Sequence, residues 1–359
     1  MFPRSAPLDA PTPRLVSLST ATPKHDLPQE TVAQRAAEMF STTPGGFDHL
    51  APIYRNAQID SRHSSVPIEW YLQKHSFTER NDIFLKVAVE LLAEAAQKAL
   101  DEAGLKPGDI DAIVSVCSTG IATPALDARL MQVMPFRPDT ERTPIFGLGC
   151  AGGVLGLSRA AAMAAAKPNS RVLLLVVELC GLTFRYQDRS KSNLVATALF
   201  GDGAAAAVVS CREEYSGGVR LGPWGEHTWP DSLDVMGWDV ADDGLKVLFS
   251  RDIPSLVRQD LRAVVDRFLA SNNASLGDIS GFVCHPGGAK VIDALEDCFE
   301  LQRGDLIVAR KVLREHGNMS AATVLFVLKE AIEARIRGPQ LMTTMGPGFT
   351  AGLMVLEAA

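Results

Sequence analysis

The sequence predicts a layered α/β fold. Short apolar strand-like runs at Ala112 to Cys117, Val172 to Val177 and Ala204 to Ser210 alternate with helical patterns such as Asp82 to Ala103 and Val154 to Lys167. The chain, 359 residues with 47% hydrophobic content, is long enough for one large core or two halves. A second series of elements after residue 250 echoes the order of the first.

Taken in order, the Pro-rich opening at 1–13 reads as a flexible tail. Arg14 to Ser19 begins like a strand, and Gln29 to Phe40 has a helical pattern. The polar stretch from Arg55 to His63 offers cations to an anionic ligand such as a coenzyme phosphate, although a solvated loop has the same composition. Asp82 to Ala103 places Val89, Leu92, Ala96 and Ala99 on one helical face, with Gly104 as its stop. The loop Ser118 to Pro124 leaves the carboxyl end of a buried strand, where α/β sheets place ligand-binding loops.

Cys211 to Asp243 is rich in Gly, Trp, Pro and acidic residues with weak periodicity, and reads as a connection and part of a pocket wall. It separates a first half, 14–215, from a second, 216–359. The second half is expected to hold a helix from Ile253 to Ala270, a strand from Ile279 to Cys284, a helix from Met319 to Ile336 and a closing strand from Gly352 to Leu356.

A net charge of -7 argues against a nucleic-acid partner. No apolar run is long enough to span a bilayer, and Met1 to Pro13 has no signal-peptide core, so a cytoplasmic protein is expected. The six cysteines show no CxxC spacing, which predicts reduced thiols rather than disulfides or a metal site.

Gly149-Cys150-Ala151-Gly152-Gly153 puts a sulfur on a strand-to-helix turn, where free N–H groups favour a thiolate. By itself, such a cysteine also matches a thiol packed as a small hydrophobe. His285, in Cys284-His285-Pro286-Gly287-Gly288, sits just past a strand and can take or hold the thiol proton. Asn318, in Gly317-Asn318-Met319-Ser320, opens a helix; it can cap it or donate its amide N–H to a developing oxyanion.

With these motifs, Leu199-Phe200-Gly201-Asp202-Gly203 and Met345-Gly346-Pro347-Gly348, the sequence from Arg14 onward resembles the type III polyketide synthases, a group that includes chalcone, stilbene and bacterial alkylpyrone synthases. The resemblance implies a thiolase fold of two similar halves in five αβαβα layers, in a homodimer. It implies Cys150 as the acyl-accepting nucleophile, His285 and Asn318 as the decarboxylation and oxyanion pair, and Phe200 as a gatekeeper. Substrates would be an acyl-CoA starter and malonyl-CoA, with no metal or redox cofactor. Ser320 and Met345, within the matched motifs, join the expected cavity residues.

Departures from the plant pattern narrow the expected product. Val247 replaces a second gatekeeper phenylalanine, Thr123 replaces a methionine projected across the dimer contact, and Cys180 replaces a cavity threonine, with Thr183 nearby. Trp238 stands at a cavity glycine, where its indole would favour lactonisation to a pyrone, or else packs outside. Loss of bulk suits a medium or long aliphatic starter. Arg55, Arg62 and Lys290 are the candidate contacts to coenzyme A. Alternatives with the same residues are alkylresorcinol- or chalcone-type ring closure, a single condensation as in ketoacyl synthase III, and a Cys/His acyl-CoA thioesterase.

Overall fold

The computed structural model describes residues 11–40, 51–250 and 252–357. Most of the expected tail, residues 1–10, lies outside them. Nine strands form one mixed sheet: β1 (Arg14–Ala21), β4 (Ala112–Cys117), β5 (Glu141–Phe146), β6 (Arg171–Leu179), β7 (Asp202–Ser210), β8 (Val219–Thr228), β11 (Gly281–Cys284), β12 (Pro339–Gly346) and β13 (Thr350–Glu357). Two separate ribbons pair β2 (His25–Pro28) with β3 (Ser61–Ser64), and β9 (Met236–Ala241) with β10 (Gly244–Phe249).

The sheet order β11-β12-β13-β8-β1-β7-β6-β4-β5 contains an internal echo. On one side β4 runs parallel to β6, which pairs antiparallel with β7 and then β1. On the other, β11 runs parallel to β12, which pairs antiparallel with β13 and then β8. Within the sheet the two halves join where β1 pairs with β8, at Arg14↔Arg220 and Leu15↔Val219.

Helices fill the remaining layers. The first six are α1 (Gln29–Phe40), α2 (Pro52–Asn56), α3 (Phe77–Ala103), α4 (Leu126–Leu130), α5 (Gly152–Ala166) and α6 (Lys191–Leu199). Helix α3 covers the outer face of β1, β6 and β7. It starts five residues before the sequence pattern, because a capping box between Ser76 and Glu79 satisfies its first N–H groups. Gly104 ends it at φ 68. Helix α5 and the helix Thr323–Glu333 lie between the two halves, where α5 meets β4 and β6 on one side and β12 and β13 on the other. With outer helices around 253–271 and 289–298, this is the five-layered thiolase arrangement. The stretch 149–166 is long and apolar enough to cross a membrane, but 72% of it is buried inside the protein.

Two expectations need correction. Cys211 to Asp243 contains β8, a central strand beside β1, as well as β9. Its periodicity was hidden because β8 is only half-covered and carries Gly222 and Gly225, which admit the Val355 carbonyl and the Phe268 ring where a Cβ would collide. The helix expected from Met319 starts at Thr323 after a single 3₁₀ turn, Ser320–Ala322. Strand β5 escapes the sequence pattern altogether. It is the exposed edge of the sheet and carries charges and Pro144, which an edge strand tolerates.

Candidate active site

The chain passes from β5 through Gly147 and Leu148 into a 3₁₀ turn, Gly149–Ala151, and then α5. Gly149 has φ 47 and lies against Pro347, so a side chain there would be strained and would also collide. Gly152 and Gly153 allow the first turn of α5 to abut Ala321 and Val324, on the segment that follows Asn318. The glycines of the cysteine motif thus bring Cys150, on the first half, against the second.

Cys150 is 7% exposed, and its carbonyl accepts a hydrogen bond from Thr344 Oγ1 at 2.7 Å. Burial pushes its thiol up to about 12, opposed by hydrogen bonds from Ser320 and Asn318. Burial and the hydrogen bonds at the helix start thus act on the thiol in opposite directions. His285 is 5% exposed and neither ring nitrogen has a hydrogen-bond partner; burial lowers its pKa to about 3. Burial disfavours the charged form of both groups, and a neutral imidazole can accept the thiol proton when a substrate is attacked.

Asn318 is held more firmly. Its Oδ1 accepts from the Ser320 N–H at 2.8 Å, which orients the amide, and Nδ2 donates to the Gly287 carbonyl at 3.2 Å. The other N–H is directed at the Cys150 sulfur, the end of the tunnel where a ligand oxygen could take it. Its backbone joins Phe200 in an isolated bridge: Asn318 N–H donates to Leu199 O at 2.7 Å and Gly201 N–H to Asn318 O at 3.0 Å.

Three cavities adjoin at this point. A tunnel of about 430 Å³ is bordered by Cys150, His285, Asn318 and Met345 and runs outward past Asn56, Lys191 and Lys290. A chamber of about 30 Å³ opens on Cys150 and is walled by Cys180, Phe200, Trp238, Val247 and Ser320. Trp238 belongs to this wall, edge-on to Phe200 with ring centroids 6.3 Å apart, and pairs across the hairpin with Val247. A side pocket of about 80 Å³ shares Cys180 and Phe200 with the chamber and extends between α1 and α6, past Thr183, Ala196, Val32 and Phe40.

The remaining predicted residues are distributed as follows. Thr183 faces the side pocket and donates to the Cys180 carbonyl at 2.7 Å. Thr123 is exposed on its loop, away from the chamber. Lys290 lines the tunnel, and Arg55 is exposed on α2 next to the tunnel residue Asn56. Arg62 does not reach the tunnel: it is buried, and its guanidinium is bonded to the carbonyls of Thr197, Ala198 and Phe200. A β-ribbon register that turns Arg62 inward causes this, and a charge count could not foresee it. Lys191, at the tunnel wall, was missed.

Glu178 was also missed. Fully buried on β6, it accepts from Ser118 Oγ at 2.6 Å, Ser118 N–H at 2.9 Å and Thr119 Oγ1 at 2.9 Å, and it also bonds Ser320. Burial raises its pKa to about 7 despite those bonds. A lone acid in the otherwise apolar run Val172 to Leu179 was its sequence signal. All six cysteines are free.

A buried thiol, a nearby imidazole and an oriented amide at the inner end of a tunnel define an acyl-transferring condensing enzyme on the thiolase fold. The chain belongs to the chalcone and stilbene synthases, the type III polyketide synthases: that family's N-terminal domain matches residues 8–212 and its C-terminal domain residues 226–358. A putative chalcone synthase of Bacillus subtilis is 41% identical, with 96% of this chain and 98% of that protein covered. A 1,3,6,8-tetrahydroxynaphthalene synthase of Streptomyces peucetius is 37% identical over 96% of this chain and 92% of the other. The crystal structure of 1,3,6,8-tetrahydroxynaphthalene synthase from Streptomyces coelicolor superposes with a TM-score of 0.91 at 29% identity, covering 96% of this chain and 100% of that one.

Proposed function

We propose that this type III polyketide synthase accepts a medium or long aliphatic acyl-CoA, extends it with malonyl-CoA, and releases an alkylpyrone. The side pocket carries this reading. The chamber is small, whereas the adjoining space behind Cys180 is larger and walled by Leu27, Val32, Ala36, Phe40, Ile68 and Ala196. Of its polar members, Asp202 accepts from Ser65 and Gly181 and Ser64 is bonded to Val66 and Tyr71, while Arg62 Nε and His63 Nδ1 have no hydrogen-bond partner. Such a wall favours methylenes, each contributing about 0.8 kcal/mol when buried, over an oxygenated polyketide.

In this mechanism His285 accepts the Cys150 proton as sulfur attacks the starter thioester, and coenzyme A leaves as the thiol. Malonyl-CoA then occupies the tunnel. Its carboxyl C–C bond breaks, carbon dioxide departs, and the electron pair moves into a thioester enolate whose oxygen accepts from His285 and the Cys150-facing N–H of Asn318. The enolate carbon attacks the Cys150 thioester and the C–S bond breaks, returning the thiolate. Coenzyme A supplies the activation, so the reaction requires no metal or redox group. Lys191, Lys290 and Asn56 at the tunnel wall, with exposed Arg55 beside them, form the surface that would meet the coenzyme.

A homodimer is part of the proposal. The exposed edge strand β5 with Phe146 58% exposed, Val133 62% exposed and the Thr123 loop present a surface suited to a second copy. Incubation with malonyl-CoA and acyl-CoA esters from acetyl to long-chain, read by mass spectrometry, tests the reaction. Triketide and tetraketide pyrones are expected, formed fastest from medium and long aliphatic starters. An aromatic product from malonyl-CoA alone, or use of aromatic starters only, would overturn it.

A further inference from the structure

Arg62 is a buried cation to which the chemistry above gives no role. It is 3% exposed, and Nη1 donates to Thr197 O at 2.7 Å and Phe200 O at 3.3 Å while Nη2 donates to Ala198 O at 3.2 Å. Two of these carbonyls end α6, where a helix leaves acceptors unpaired and carries a partial negative charge. The third belongs to Phe200, whose neighbours make the two backbone hydrogen bonds to Asn318. The crossing is tight. A Cβ on Gly201 would strike the His316 carbonyl, one on Gly317 would strike Leu199 O, and each would also contact Arg62 Cβ. Arg62 thus lies against the seam where the gatekeeper segment of the first half meets the Asn318 segment of the second.

We propose that Arg62 is a positioning residue, fixing the register of Phe200 against Asn318 so that the Asn318 amide faces the Cys150 end of the tunnel. The fork of the guanidinium matches three converging carbonyls, a task a lysine ammonium cannot reproduce with one nitrogen on a flexible stem. Burial brings the guanidinium down to about 10, which keeps it charged at neutral pH. The inference rests on the decarboxylation role given to Asn318.

Arg62→Lys and Arg62→Met are to be compared with Asn318→Ala in three assays: alkylation of Cys150 by iodoacetamide, decarboxylation of malonyl-CoA, and pyrone formation. Arg62→Lys is expected to alkylate within about twofold of the parent, while decarboxylation and pyrone formation fall together by about tenfold to a hundredfold, the scale of a misplaced group. KM for malonyl-CoA stays unchanged. In the Asn318→Ala background, adding Arg62→Lys costs little more, since both act through one amide. A raised KM with unchanged kcat, or equal losses in all three assays that follow the melting temperature, overturns the positioning role. Full decarboxylation by Asn318→Ala would instead overturn the site reading. If Arg62→Met does not fold, Arg62→Lys, measured below its melting temperature, decides.

Discussion

His285 and Asn318 stand side by side in the tunnel, equally out of water, yet they are held in opposite ways. Asn318 has its Oδ1 fixed by the Ser320 N–H, one amide proton on Gly287 O and its backbone on both sides of Phe200. The His285 ring has no hydrogen-bond partner at either nitrogen and is oriented by packing and by its backbone N–H on Thr343 O at 2.9 Å. A group that must present one donor at one place gains from being wired. A group that must take a proton and give it back gains from having no partner that fixes which nitrogen carries it.

Replacing the wired residue with a near-isostere is expected to have the largest effect. Asn318→Asp keeps the acceptor for the Ser320 N–H but turns the donor into a negative oxygen facing an enolate. Decarboxylation of malonyl-CoA should fall by about a hundredfold to a thousandfold, the range for loss of one oxyanion donor. His285→Gln retains a donor but no base. Its decarboxylation should fall less than that of Asn318→Asp, while Cys150 acylation, followed as a mass shift, should slow by about a hundredfold. Equal damage to both steps in both variants would break the distinction.

A smaller change applies to the side pocket, which neither residue touches. Ala196 is 8% exposed and lies on the pocket wall of α6. Ala196→Phe should fill the space behind Cys180 and lower kcat/KM for long-chain starters relative to acetyl-CoA by about tenfold to a hundredfold, the discrimination available to an apolar pocket. Acetyl-primed activity should remain. Uniform loss across chain lengths would show that the starter tail goes elsewhere.

His285 and Asn318 were both legible in the sequence, each in a short motif beside glycine. Glycines 149, 152, 153, 201 and 317 leave a mark on the sequence because a Cβ has no room there: 153, 201 and 317 lie against another backbone, and 149 and 152 against the side chains of Pro347 and Val116. Cys150, Phe200 and Asn318 could be found from those marks. The order of strands and helices was legible for the same reason, since β4, β6 and β7 are buried on both faces and read as apolar runs. Half-covered β8 and edge strand β5 lack that signature. Arg62 was misread because a charge in a sequence reads as solvated and only tertiary register shows that β3 turns it inward, whereas Glu178 was overlooked although the apolar run around it marks β6 as buried.

The unwired histidine also leaves a signature in stability, the smallest effect considered. His285 and His316 are depressed to about 3 and about 4 by burial, with His63 adding to the second. Above the ordinary histidine value, both are neutral whether the chain is folded or not, and their contribution is complete. As pH falls below about 6.5, the unfolded chain takes up protons that the folded chain refuses, so each histidine removes about 1.4 kcal/mol per pH unit. Glu178 acts with the opposite sign. Raised to about 7, its contribution is present below the ordinary carboxylate value and is lost as pH rises through 7. Between about pH 5 and about pH 6 the histidine and glutamate slopes therefore oppose one another. Urea melts over that range should show the acid-side slope falling by about one proton in His316→Phe and rising by about one proton in Glu178→Gln. His285→Gln should match His316→Phe in slope while differing in activity, which separates the stability contribution of the buried imidazole from its proposed role as a base. A slope in His285→Gln identical to that of the parent would show that the ring is already hydrated and partnered when the chain is folded.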